Sequence, residues 1–208
     1  MLGIYNYTVV LTYAALLISF AGIHFCFTGH PVYALICLMI SGVMDMFDGK
    51  VASTKKNRTE FEKNFGIQID SMCDLICYGL FPAMMVYHTS CKYPWAVCVC
   101  GLYLLCAVIR LSFFNCDEME RQGQTTEERH QYLGMPVTMI ALIYPAVYIV
   151  CKFLKVELSA VIGSIMLCVV GMLFITPVKL CKPGWGGKIF MVILGIVEIV
   201  LFYFAAKC

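Results

Sequence analysis

Residues 44–74 read MDMFDGKVASTKKNRTEFEKNFGIQIDSMCD, and the four aspartates in this stretch decide how the chain is organised. Asp45 and Asp48 close one strongly apolar segment, and Asp70 and Asp74 open the next. A carboxylate at membrane depth costs roughly 2.5 to 3.5 kcal/mol on insertion scales, so such residues are rare there without a task. Positions three apart and four apart fall on one helix face. Two facing helices would therefore converge four carboxylates, and the cluster would repel itself unless cations entered it. Hard oxygen ligands suit magnesium, manganese or calcium, so a divalent-metal site is expected at Asp45, Asp48, Asp70 and Asp74.

Composition puts that site in a bilayer. The 208 residues are 61% hydrophobic and 13% charged, with a mean hydropathy of +0.83, outside the range of a soluble globular domain. Crossing about 30 Å of hydrocarbon takes about 20 apolar residues. Such runs lie at 5–27, 31–49, 66–89, 94–115, 134–151 and 158–178, with a seventh at 187–206 after the turn marked by Pro183, Gly184, Gly186 and Gly187. The expectation is an all-α integral membrane protein, 1–208 forming one membrane domain of six helices plus a seventh. The first run lacks a basic leader and a small-residue cleavage site, so it reads as a retained helix.

The basic residues set the orientation. If the loop after the second helix is cytoplasmic, that side holds Lys50, Lys55, Lys56, Arg58, Lys63, Arg110, Arg121, Arg129, Lys179, Lys182 and Lys188, against Lys92, Lys152, Lys155 and Lys207 opposite. This satisfies the positive-inside rule. The aspartates then open toward the cytoplasm of a multi-pass protein of the cell membrane.

Other chemistries are poorly served. Most of the thirteen cysteines lie singly in apolar runs, where a thiol behaves as a small hydrophobe. His24, His30 and His88 sit near helix ends and His130 in a charged loop, and none pairs with a serine or cysteine as a nucleophile would require. Two polar interruptions stand out, residues 50–65 beside the aspartates and residues 116–133, the second long enough for a short interfacial helix. A metal cluster with adjacent basic residues and access to both lipid and cytosol fits a pyrophosphate or phosphodiester substrate. Gly49 and Gly66 would let a ligand approach closely. Glu198, within the last run, implies a partner or an interfacial position.

Asp45, Asp48, Gly49, Ala52, Gly66, Asp70 and Asp74 match the pattern DxxDGxxAR followed by GxxxDxxxD, and the chain in this respect resembles the CDP-alcohol phosphotransferases. Ser53 stands where that family carries arginine, and the interval before Gly66 is longer than the commonest form; Lys50, Lys55 and Lys56 are candidates to compensate. The segments IRLSFFN (Ile109 to Asn115) and YLGMPVT (Tyr132 to Thr138) are similar to segments of the integral-membrane branch that uses serine, and YNYTVVLT (Tyr5 to Thr12) is weakly similar to the polar patch on the family's first helix.

The resemblance implies a CDP-alcohol phosphotransferase-like helix bundle in which the four aspartates hold one or two divalent ions, Mg2+ or Mn2+. Asp74 would also be the general base. The implied reaction transfers the phosphatidyl group of CDP-diacylglycerol to serine and releases CMP, in phospholipid biosynthesis. Gly49, Ala52, Ser53 and Gly66 would line the nucleotide side, and Arg110 and Asn115, opening the second cytoplasmic loop, would contact serine or a phosphate. A homodimer is also implied. Glycerol 3-phosphate or inositol phosphate as acceptor, and a non-catalytic or ion-transporting role, are the alternatives.

Overall fold

The computed structural model describes residues 3–90, 93–124, 131–155, 158–181 and 184–205. Lys92, Arg129, His130, Lys182, Pro183 and Lys207 lie outside the described residues, as does 206 at the end of the seventh run. A 3-10 turn, Tyr7–Val9, leads into α1, Val10–Phe27; α2 is Pro31–Ser53 and α3 is Glu60–Asp74. A π-helical turn, Leu75–Leu80, carries α3 into α4, Phe81–Ser90. Then follow α5, Trp95–Gln124, α6, Ile140–Phe153, α7, Ala160–Ile175, and α8, Trp185–Ala205. Four of the resulting rods, Tyr7–Phe27, Pro31–Ser53, Glu60–Ser90 and Trp95–Arg121, are long and apolar enough to cross a membrane, while Val137–Phe153 and Ala160–Ile175 are shorter apolar helices. At 1.5 Å per residue, the 21 residues of α8 span about 31 Å. The protein is a multi-pass membrane helix bundle.

Local chemistry explains the boundaries. Gly29 adopts φ +82, a conformation few other residues tolerate, and turns the chain after α1; Pro31 opens α2 where its missing N–H costs no helix bond. Thr59 caps α3 reciprocally, its Oγ1 accepting from the Glu62 N–H at 3.1 Å while Glu62 Oε2 accepts from the Thr59 N–H at 3.0 Å. The polar stretch 60–65, expected in a loop, is therefore the first part of α3, running beyond the apolar span.

The π turn follows Asp74 directly. Pro82 has no N–H to offer the carbonyl of Tyr78 four residues back, and the hydroxyl of Tyr103, from α5, donates to that carbonyl at 2.6 Å. Tyr78 and Phe81 are wholly buried beside Leu35, Leu38, Val86, Ile140 and Leu167 in a continuous apolar core. Small residues bring the helices together, as bilayer packing requires: a Cβ on Gly22 would clash with the Phe81 ring, and one on Gly42 would meet Ala141 Cβ at 2.8 Å. Leu17, Phe20, Leu102, Met172 and Phe190 face outward, each at least 60% exposed, as lipid contact demands.

The second polar interruption is not a separate interfacial helix where it is described. Residues 116–124 continue α5, and Gln131–Leu133 forms a short antiparallel pair with Lys179–Cys181. That pair brings the segments before α6 and before α8 together.

Candidate active site

Asp45 and Asp48 project from the last turns of α2, and Asp70 and Asp74 from the end of α3, with α1 packed against both helices. One carboxylate oxygen from each of Asp45, Asp70 and Asp74 lies within 4.8 Å of the other two, all three side chains being half-buried. Asp45 faces Asp74 and Asp48 faces Asp70, carboxylate to carboxylate. Asp48 is 8% exposed and accepts a hydrogen bond from Thr12 Oγ1 at 2.9 Å. Asp70 Oδ1 is shielded from water and has no partner among the described residues.

Carboxylates in mutual contact repel one another unless a proton or a cation lies between them. Two oxygens on one magnesium ion sit roughly 3 to 4 Å apart, so the observed spacing is within a small rotamer adjustment of shared ligation. An all-oxygen donor set and an unpartnered buried carboxylate oxygen fit a hard divalent cation.

Cationic groups surround the cluster unevenly. Lys188, on the first turn of α8, donates from Nζ to the carbonyl of Met46 at 2.8 Å, and its charge acts on both Asp45 and Asp48. Lys55 is held by Glu62 at 2.5 Å. Glu62 also accepts from Asn6 Nδ2 at 3.2 Å, tying the turn before α1 to the capped start of α3.

The remaining residues singled out in the sequence fall into different settings. A Cβ on Gly49 would meet nothing within 4 Å, so the α2 surface beside Asp48 is open. Ala52 is half-buried. Ser53 is exposed, its hydroxyl donating back to the Lys50 carbonyl at 2.7 Å. Asn115 Oδ1 accepts from Ser71 Oγ at 2.5 Å, joining α5 to α3 between Asp70 and Asp74.

Because α5 runs on to Gln124, neither Arg110 nor Asn115 opens a loop; both lie within the helix, and Arg110 is 7% exposed. Its guanidinium donates to the carbonyls of Met135 at 3.2 Å and Gly134 at 3.5 Å. Gly134, at φ +79, turns the chain there, and a Cβ would strike the Phe174 carbonyl at 2.8 Å.

Lys188 and the contact made by Thr12 escape sequence reasoning. Thr8 and Thr12, four apart in an apolar run, carried a faint signal for a polar helix face. Nothing local to Lys188 distinguished it from a residue that sets topology.

A family model described as CDP-alcohol phosphatidyltransferase matches residues 5–206. The chain is 27% identical over 140 residues to the CDP-diacylglycerol–serine O-phosphatidyltransferase of Mycobacterium tuberculosis, covering 64% of this chain and 47% of that protein. To the Saccharomyces cerevisiae protein of the same name it is 27% identical over 152 residues, 67% of this chain and 54% of the relative. Similarity to the archaetidylserine synthase of Methanothermobacter thermautotrophicus is 28% over 117 residues, 56% of this chain and 46% of the relative. The chain spans about half the length of these curated relatives.

Proposed function

Because the chain belongs to the CDP-alcohol phosphatidyltransferase family, we propose that it transfers the phosphatidyl group of CDP-diacylglycerol to the hydroxyl of serine and releases CMP. The observation that carries this reading is the convergence of Asp45, Asp70 and Asp74 at one end of a membrane bundle. Serine is favoured as acceptor by the names of the relatives, two of which are serine phosphatidyltransferases.

Asp45, Asp48, Asp70 and Asp74 would hold one or two divalent ions, Mg2+ or Mn2+. Bound there, such ions neutralise the pyrophosphate and ease departure of CMP. Thr12 keeps the Asp48 carboxylate turned toward the cluster. Asp74, nearest the buried end of α3, accepts the proton of the serine hydroxyl as its oxygen bonds to the β-phosphorus and the bond to CMP breaks. Gly49 and Ala52 leave room for the nucleotide, Gly66 gives its space to the Arg58 guanidinium, and Asn115 and Arg110 hold the α5 side of the site in place. The site opens to the cytoplasm of the cell membrane in this reading, and the protein acts as a homodimer.

The test is CMP release by the purified protein from CDP-diacylglycerol with serine, glycerol 3-phosphate or inositol phosphate, each with magnesium, manganese or chelator. Metal-dependent release with serine alone is expected. Release with another alcohol alone would overturn the acceptor, and release from none would overturn the activity.

A further inference from the structure

We propose that Arg58 binds the substrate pyrophosphate, supplying the cation that is missing at position 53. The inference rests on the reading of the aspartate cluster as a CDP-alcohol site. Ser53 has no charge and turns its hydroxyl back onto its own helix, while Lys55 is engaged by Glu62.

Arg58 is placed differently. It precedes the capped start of α3 and folds back along that helix, its Nη2 donating to the Glu62 carbonyl at 3.2 Å. A Cβ built on Gly66 would lie 2.7 Å from the same Nη2, so the guanidinium rests directly on the glycine. Gly66 is one turn before Asp70 and shares its helix face, which puts the glycine under the guanidinium about 6 Å of helix rise from Asp70. Its Nε is shielded from water and has no partner among the described residues.

A buried guanidinium N–H without an acceptor is costly, and a planar fork of donors is matched by phosphate oxygens. The two glycines of the site thus do different work: Gly49 leaves open surface beside Asp48, and Gly66 makes the bed on which a cation lies.

Equilibrium binding of CDP to the purified full chain in magnesium-containing detergent solution tests this, with cytidine as a competitor lacking the pyrophosphate. Arg58→Gln removes the charge and keeps a polar amide side chain. It is expected to weaken CDP about 10-fold or more while leaving cytidine and the melting temperature unchanged; Arg58→Lys should recover part of the loss. Gly66→Ala, whose methyl group displaces only the end of a flexible side chain, should weaken CDP in the same selective way. Unchanged CDP affinity in Arg58→Gln would overturn the proposal, as would an equal loss of CDP and cytidine with a fall in melting temperature. A wild-type chain that bound no CDP would overturn it together with the reading of the site. If the wild type binds CDP but does not turn over serine, only the acceptor is overturned, and the CDP comparison still decides Arg58.

Discussion

At the scale of single residues, the site is four carboxylates and the few groups that hold them. Thr12 donates to Asp48 at 2.9 Å across 36 residues of sequence, and partners of this kind typically change metal affinity or activity 10- to 100-fold when removed. Thr12→Val, which keeps shape and loses the hydroxyl, is expected to raise the magnesium concentration for half-maximal CMP release roughly 10- to 100-fold. A magnesium titration of the purified variant checks this, and an unshifted curve would mean that Asp48 needs no such support. The aspartates themselves were legible in the sequence because a helix converts spacings of three and four into a shared face. The contacts of Thr12 and Lys188 were not, since each depends on which helix packs against which, and that of Arg58 depends on how the turn before Thr59 folds back onto α3. Lys188 reaches Met46 from 142 residues away.

At the scale of elements, the rod from Glu60 to Ser90 is the part that the sequence describes least completely. Hydropathy locates its apolar portion but is blind to its start, where Thr59 and Glu62 cap a charged first turn in water. Nor does hydropathy reveal the π turn, Leu75–Leu80, which lies between Asp74 and the break that Pro82 makes in the helical ladder. The Tyr103 hydroxyl satisfies the Tyr78 carbonyl there. Tyr103→Phe removes a buried donor and should destabilise the protein by about 1 to 2 kcal/mol. The loss would be read as a lower melting temperature in detergent; an unchanged value would show that the carbonyl has another adequate donor. The same limit explains Arg110. Its motif was visible, but only the length of α5 shows that it lies within a helix and serves the carbonyls of Gly134 and Met135.

At the scale of the whole molecule, the seven helical rods among the described residues place the aspartates, the Arg58 loop, the first turn of α8 and the paired segments 131–133 and 179–181 at one end. The alternation of apolar runs made this architecture readable, because a bilayer leaves helices as the economical way to satisfy backbone polar groups. Orientation is a consequence that can be checked. A biotin-acceptor peptide inserted between residues 127 and 128 is expected to be labelled by a ligase in the cytosol, and one inserted between residues 91 and 92 to be labelled only from outside. The reverse pattern would put the carboxylates on the wrong side for a cytosolic nucleotide-linked substrate.

The proposed role of the carboxylate cluster, transfer of the phosphatidyl group to serine, can be followed by phosphorus NMR of purified protein with CDP-diacylglycerol and serine, comparing wild type with Asp74→Asn in magnesium and in chelator. The pyrophosphate signals are expected to give way to those of a serine phosphodiester and CMP only for the wild type with magnesium. Product formation by Asp74→Asn at a comparable rate, or by the wild type in chelator, would contradict it.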